Sequence, residues 1–153
     1  MKHITVREFK TIEEMERCHE LLQVLYPDNF SKEDYRSLLK EMTRGTYFQV
    51  VAMDDDKVIG VAGLTIATKI WSGRYMDMDH FVVDRAYRSK GIGTLMLSRV
   101  KQLSKEENCK ILSCDVYSEN FNAQRLYMNE GFVPRGFHFI HIHDKNLDLK
   151  ARD

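Results

Sequence analysis

The sequence has no surplus of charge: Lys+Arg and Asp+Glu stand at 23 each. That removes the global field that draws a chain to nucleic acid or to anionic lipid. No apolar run approaches membrane-spanning length, and Met1-Lys2-His3-Ile4-Thr5 lacks the apolar core of a signal peptide. Cysteine is scarce. The three (Cys18, Cys109 and Cys114) form no C-x-x-C pair and are odd in number, which predicts free thiols in a reduced, cytoplasmic protein. No internal repeat, low-complexity stretch or linker interrupts the 153 residues, so residues 1–153 are expected to form one domain with a sizeable core. With 43% hydrophobic and 30% charged residues, the composition is that of an ordinary globular protein.

What is present is a sequence of periodic segments. His3 to Phe9 alternates apolar and polar residues and predicts an opening strand. Thr11 and Glu14 stand at capping-box spacing before an apolar stripe of Met15, Cys18, Leu21, Leu22 and Leu25, which predicts one helix ending near Pro27. Ser31 and Asp34 open a second helix with Tyr35, Leu38, Leu39 and Met42 on its buried side, closed at Gly45. Three strands follow as an antiparallel meander: Tyr47 to Met53, Val58 to Ile70 (with Gly60 and Gly63 as bulge or close-packing points) and Tyr75 to Val83.

Then the pattern changes. Gly91 to Glu107 reads as an amphipathic helix, Ile111 to Tyr117 as a short strand, and Asn122 to Glu130 as a helix stopped by Gly131. A closing strand is expected from Phe132-Val133 onward and around Phe137 to His143. The order β-α-α-β-β-β-α-β-α-β-β predicts a mixed α/β fold, a sheet with helices on its faces.

The most informative segment joins the third meander strand to the long helix: Val82-Val83-Asp84-Arg85-Ala86-Tyr87-Arg88-Ser89-Lys90-Gly91-Ile92-Gly93. Glycines there let the backbone approach a ligand, free N–H groups at a helix start suit phosphate oxygens, and Arg88 and Lys90 add positive charge. A plain strand-to-helix turn would look similar. Two known phosphate motifs fail on spacing. A P-loop needs G-x-x-x-x-G-K-[ST], and no glycine precedes Gly91 at that distance; a dinucleotide fingerprint needs a third glycine where Met96 stands.

Arg88-x-x-Gly91-x-Gly93 does match the [Q/R]-x-x-G-x-[G/A] signature of the GNAT N-acetyltransferases. Asn120-x-x-Ala123-x-x-x-Tyr127-x-x-x-Gly131-Phe132 matches that family's second signature in type and spacing. The chain therefore resembles this family over roughly residues 46 to 143, most closely its small-amine and diamine-type members. The resemblance implies a mostly antiparallel sheet of about seven strands with about four helices. It also implies acetyl-coenzyme A as co-substrate, without a metal.

It implies residue roles as well. The loop Arg88, Ser89, Lys90, Gly91, Ile92 and Gly93 would hold the coenzyme A pyrophosphate. The backbone of Phe81, Val82 and Val83 would pair with the pantetheine arm and polarise the thioester carbonyl. Asn120 would touch the coenzyme, with Asn122 as the purer helix cap. Tyr127 would protonate the leaving thiolate, although a tyrosine on that helix face also reads as core. Asp79 falls where members carry a carboxylate base, directly or through water. Alternation puts Asp77 on its face, where both would bind a cationic amine, and turns His80 to the other face.

Trp71-Ser72-Gly73-Arg74-Tyr75 is similar to the corresponding turn in the diamine-type members, which favours a small cationic amine as acceptor. A protein lysine or N-terminus stays open, as does an acyl-coenzyme A sensor that binds without transfer. His138, His141 and His143 straddle both faces of one strand and complete no metal pattern. The exposed edge of the last strand makes a homodimer an expectation.

Overall fold

A computed structural model of the protein describes residues 3–26 and 31–147. Its elements are β1 (Ile4–Phe9), α1 (Ile12–Glu16), α2 (His19–Leu22), α3 (Lys32–Met42), β2 (Tyr47–Asp54), β3 (Lys57–Lys69), β4 (Gly73–Val83), α4 (Ile92–Glu106), β5 (Ile111–Cys114) and α5 (Phe121–Asn129). One sheet runs in the order β1-β2-β3-β4-β5. The first four strands are antiparallel neighbours, and β5 joins β4 in parallel after the crossover through α4.

Local chemistry sets the helix starts. Thr11 Oγ1 accepts from the Glu14 N–H while the Glu14 carboxylate accepts from the Thr11 N–H, and Ser31 with Asp34 repeats the arrangement for α3. The single helix expected from Thr11 to Leu25 is instead broken at Arg17. There the N–H groups of Arg17 and Cys18 turn to the carbonyls of Glu14 and Met15, three residues back. Arg17 itself reaches away to the Asp56 carbonyl (2.9 Å) and stacks over the Phe9 ring. Met15, Cys18 and Leu22 still face the sheet and are buried. Pro27, the expected stop, lies outside the described residues. In α3, Tyr35 and Leu39 are buried as expected, but Leu38 is half exposed.

Each face of the sheet carries its own core. On one, Met96, Leu97, Val100 and Leu103 of α4 and Tyr127 of α5 pack on Val50, Ala62, Leu64, Met76 and Met78. On the other, Met15, Leu22, Tyr35 and Leu39 pack on Val51, Met53, Val61 and Val82. Gly60 lets α4 close on β3: a Cβ added there would lie 2.5 Å from Met96 Sδ.

The β3–β4 pairing slips once, since Gly63 faces His80 while Leu64 faces Met78. Asp79 is therefore an extra residue in β4, a bulge. Before it, Met76 and Met78 point to the α4 face; after it, Val82 points to the α1–α3 face and Phe81 and Val83 turn toward α4.

The expected closing strands are absent among the described residues. From Val133 to Leu147 the chain forms no ladder, and Pro134 withholds one backbone donor at its entry. The sheet therefore has five strands, not about seven. No helix among the described residues is long and apolar enough to cross a membrane.

Leu97 is fully buried between α4 and the sheet. Leu97→Ala is expected to lower the unfolding free energy by about 2–5 kcal/mol in a urea titration, with little change in the slope.

Candidate functional site

The site begins where the sheet parts. β5 pairs with β4 only from Tyr75 to Met78, opposite Ile111 to Cys114, while β4 stays paired with β3 as far as Val83. Beyond Met78, β4 has no strand on its β5 side among the described residues, so alternate N–H and C=O groups of residues 79–83 face away from any ladder. Their side chains are engaged: Val82 is buried toward α1–α3, and Phe81 and Val83 pack on the α4 core. Strand side chains thus hold the structure while the backbone edge is left available.

The loop after β4 is tied down at its start. Asp84 accepts from the Ala86 N–H (2.9 Å), capping a short 3₁₀ turn, and pairs with Lys57 at 2.8 Å. Tyr87 donates to Asp54 (2.7 Å). Arg88 Nε donates to the Val83 carbonyl (3.0 Å), and Lys90 Nζ to the Ala86 carbonyl (2.7 Å). Both cationic side chains remain exposed on the loop.

Ser89 (φ 59°) and Gly91 (φ 78°) then turn the backbone through the left-handed region into α4. A Cβ on Gly91 would meet nothing within 4 Å, so glycine serves the backbone conformation there, not a tight fit. Gly91 gives α4 no side-chain cap, and the first turn's ladder opens with Leu95 N–H to the Gly91 carbonyl. The N–H groups of Ile92, Gly93 and Thr94 lie before that ladder, at the positive end of the helix dipole. The Ile92 side chain is buried in the core, so only its backbone can face a ligand.

Tyr127 closes the other side. It is 7% exposed, with its ring 6.3 Å from Phe81 and 5.4 Å from Phe132, and Phe81 in turn lies near Gly93. Burial holds the phenol's pKa well above its ordinary value, and Cys114 nearby adds to the effect. Burial likewise pushes the Cys114 thiol up to about 12. Tyr127 is thus a protonated phenol in a dry setting. Asn120, not Asn122, is the helix cap: its Oδ1 accepts from the Ala123 N–H at 3.1 Å, while Asn122 lies inside α5.

The bulge rearranges the acidic strand. His80 does not face away from Asp79: its Nδ1 lies 3.7 Å from Asp79 Oδ2. The extra residue breaks the alternation on which the opposite expectation rested. His80 Nε2 is 3.2 Å from the Tyr47 hydroxyl, which accepts from Gln49 Nε2 (2.9 Å). Gln49 also donates to Tyr35 (2.8 Å), and Tyr35 to the Met15 carbonyl (3.2 Å). Since the Tyr47 oxygen already accepts from Gln49, its proton is placed to go to Nε2, leaving a neutral imidazole's proton on Nδ1 toward Asp79.

The neighbouring His80 imidazole holds the Asp79 carboxyl below its ordinary range, against the opposing effect of burial. Tyr26 stands in the same field: burial first, then Asp79 and Tyr117, push its phenol up to about 12. Gly63 makes the arrangement possible, since a Cβ there would come within 2.7 Å of the Tyr47 hydroxyl and closer still to the His80 ring.

Asp77 is engaged elsewhere, accepting from Ser113 Oγ at 2.5 Å. The Trp71–Tyr75 stretch sits at the far end of the β3–β4 hairpin, with Arg74 bound to Glu107 and Lys69 over the Trp71 and Tyr75 rings. Sequence reasoning missed Tyr26, Tyr47 and Gln49 and misplaced His80. One signal was present: Gln49 is the lone polar residue within the apolar run from Tyr47 to Met53.

The comparisons with known proteins bear on the family and the fold. The model of the Acetyltransferase (GNAT) family matches residues 15–132. Over 100 residues the chain is 26% identical to human N-acetyltransferase 8B, covering 65% of this chain and 44% of that protein. Over 60 residues it is 34% identical to the spermine/spermidine N(1)-acetyltransferase of Bacillus subtilis, covering 39% of this chain and 40% of that one. The matches thus span less than half the length of either relative. Among solved structures, a GNAT family acetyltransferase of Staphylococcus aureus is similar at 25% identity and TM-score 0.72, over 91% of this chain and 98% of that one. The aminoglycoside N-acetyltransferase AAC(6')-Iy, solved in complex with CoA, shares the fold at 18% identity and TM-score 0.77, over 95% and 96% of the two chains.

The two loop glycines are expected to respond oppositely to alanine. Gly91→Ala should cost about 1–2 kcal/mol, because its φ is left-handed. Gly93→Ala meets only ordinary contacts at 3.7 Å inside the helix and should gain up to about 1 kcal/mol. Parallel urea titrations of the two variants check the pair, and equal losses would remove the backbone account of Gly91.

Proposed function

The chain belongs to the GNAT acetyltransferase family, and we propose that it moves the acetyl group of acetyl-coenzyme A directly to a primary amine, with both substrates bound together. The acceptor in this reading is a small cationic amine, and residues 1–153 act as one catalytic domain. One observation carries it: the unpaired β4 edge, the uncapped first turn of α4 and the buried Tyr127 phenol meet at one end of the sheet, linked through Phe81.

In this reading the N–H groups from Arg88 to Gly93 bind the pyrophosphate, with Arg88 and Lys90 adding charge. The backbone of Phe81, Val82 and Val83 holds the pantetheine arm as an added half-ladder, and an N–H there polarises the thioester carbonyl. Asn120, besides capping α5, touches the coenzyme. As the amine nitrogen bonds to the carbonyl carbon, the carbon–sulfur bond breaks, Tyr127 gives its proton to the departing thiolate, and the proton shed by the new amide nitrogen restores the phenol. Its raised pKa suits a donor that must still be protonated at neutral pH.

The amine must first lose a proton. An ordinary ammonium and an ordinary aspartate differ by about 6 pH units in pKa, and Asp79 lies lower still, so direct abstraction by Asp79 is steeply uphill. Asp79 is better suited to bind the ammonium and to hold His80. A water held by Asp79 carries the ammonium proton away, while His80, with Nε2 on the Tyr47 hydroxyl and Nδ1 toward the carboxylate, keeps Asp79 in place. Asp77, held by Ser113, contributes negative charge at longer range. The matched spermine/spermidine acetyltransferase segment supports a cationic acceptor of this kind.

Mixing acetyl-coenzyme A with a panel of polyamines, amino sugars and lysine peptides should release free thiol with the small cations. Tyr127→Phe is expected to lower kcat by about 10²–10⁴-fold and leave the coenzyme A dissociation constant nearly unchanged. Unaltered turnover would remove Tyr127 as the acid. A protein that is thermally stabilised by coenzyme A but releases no thiol from any amine would overturn the enzyme reading.

Asp79 gives a pH test. Because its folded pKa is lowered, its charge is complete above the ordinary value of about 3.9 and is lost only as the pH falls through the lower folded value. Its contribution to binding a cationic amine should therefore be constant from pH 8 to 5. Asp79→Asn should raise KM several-fold by the same factor throughout that range. A factor that shrinks toward pH 5 would contradict the assignment.

A further inference from the structure

The short turn between β2 and β3 reaches the glycine loop from both of its shoulders. Asp54 ends β2 and Lys57 opens β3, and the two are cross-strand partners. Each sends its side chain to the segment that leaves β4. The Tyr87 hydroxyl donates to Asp54 Oδ2 at 2.7 Å, and Lys57 Nζ lies 2.8 Å from Asp84 Oδ2. The two contacts bracket the 3₁₀ turn Arg85–Tyr87, which ends one residue before Arg88. The Asp84 N–H is held too, by the Ile59 carbonyl at 2.8 Å.

The backbone beyond this grip is strained. Ser89 takes a left-handed φ of 59° without being glycine, and such a residue keeps that conformation only where its surroundings enforce it. Lys90 is fixed at the same place. Its Nζ donates to the Ala86 carbonyl (2.7 Å) and lies 5.2 Å from the centre of the Tyr87 ring, as does Lys57 Nζ. Tyr87 is the group these contacts share. Its bond to the Asp54 carboxylate raises the phenol's pKa, so the hydroxyl stays a donor.

The two shoulders are not equal. The Lys57 side chain is 58% exposed, where solvent screens its attraction to Asp84. The bond from Tyr87 to Asp54 is short, partly buried and made to a charged acceptor, which is the stronger kind. We propose that Asp54 is a positioning residue for coenzyme binding: through the Tyr87 hydroxyl it holds the loop in the shape that turns the N–H groups of residues 88–93 toward one pyrophosphate. The inference rests on the reading of that loop as the pyrophosphate site.

Charge alone predicts the opposite result. A carboxylate near a site for an anion repels it, so its removal should tighten binding if charge were its main effect. Positioning predicts that binding weakens. Calorimetric titration of the full chain with coenzyme A separates the two. Asp54→Ala should raise the dissociation constant at least about 5-fold, and Tyr87→Phe should do the same. The double variant should lose no more than either single one, because both changes remove one bond. Asp54→Asn keeps an acceptor for Tyr87 and discards the charge, so it should bind coenzyme A as tightly as the wild type or more so.

Unchanged or tighter binding by Asp54→Ala would overturn the proposal. So would losses that multiply in the double variant, or an Asp54→Asn protein that binds as poorly as Asp54→Ala. Circular dichroism without ligand checks that each variant folds; if Asp54→Ala does not, Tyr87→Phe and Asp54→Asn decide by the same criteria. A folded wild-type chain that binds no coenzyme A would instead remove the pyrophosphate reading of the loop, and this inference with it.

Discussion

The structure turns on the point where β4 outruns β5. Up to Met78 and Cys114 the two strands share a ladder; from Asp79 onward β4 is held only by β3. A backbone edge in the middle of a sheet cannot normally be left bare, because its polar groups need partners. Here the parting is held open from both sides. The bulge at Asp79 bends and twists β4, and α5 places Tyr127, flanked by Phe81 and Phe132, against the opening. Those aromatic contacts pack beside the strand where the ladder ends. The uncapped first turn of α4, next to Phe81 through Gly93, lies at the same end. Among the described residues, two sets of backbone donors thus lie outside any ladder at this end of the sheet, close to one buried hydroxyl.

The opposite face is organised by side chains. Tyr35, Gln49, Tyr47, His80 and Asp79 form a single polar line from the α1–α3 core to the surface of β4. Such a line is costly when incomplete, and among the described residues it is incomplete: the fully buried Gln49 Oε1 meets no hydrogen-bond donor there. A leucine at that position would be easier to accommodate in a core. What the amide supplies is direction. By donating to both tyrosines it commits the Tyr47 proton to His80 Nε2, which turns the Nδ1 proton to Asp79. The bulge and the line depend on each other, since only the extra residue brings His80 over Gly63 beside Tyr47.

How much of this could be read in advance follows from where the information is stored. The capping boxes at Thr11 and Ser31, the α4 stripe and the glycine loop are local patterns, and each was legible. The split at Arg17 was not; at that break the guanidinium meets the Asp56 carbonyl, 39 residues away, as well as the Phe9 ring. The bulge was hidden for a different reason. Met76-Asp77-Met78-Asp79 alternates and then breaks at His80, a second polar residue in a row, which marks an irregularity without saying which residue is extra; the other hint lay across the sheet in Gly63. Asn120 and Asn122 are equal candidates for a cap on composition, and only the turn ending at Phe121 separates them. The closing segment has a strand's pattern, yet among the described residues it pairs with no strand.

That last case and the site share a cause. The proposed donor site uses backbone groups whose placement follows from a short loop motif, so residue types at fixed spacing are enough to find it. The proposed acceptor side uses side chains from α2's end, β2 and β4 that meet only because of a register slip. Motif spacing carries no trace of such a meeting. The same limit governs the C-terminal segment: alternation says that 137–143 is a strand, but a strand is defined by its neighbour, and the neighbour is set by topology.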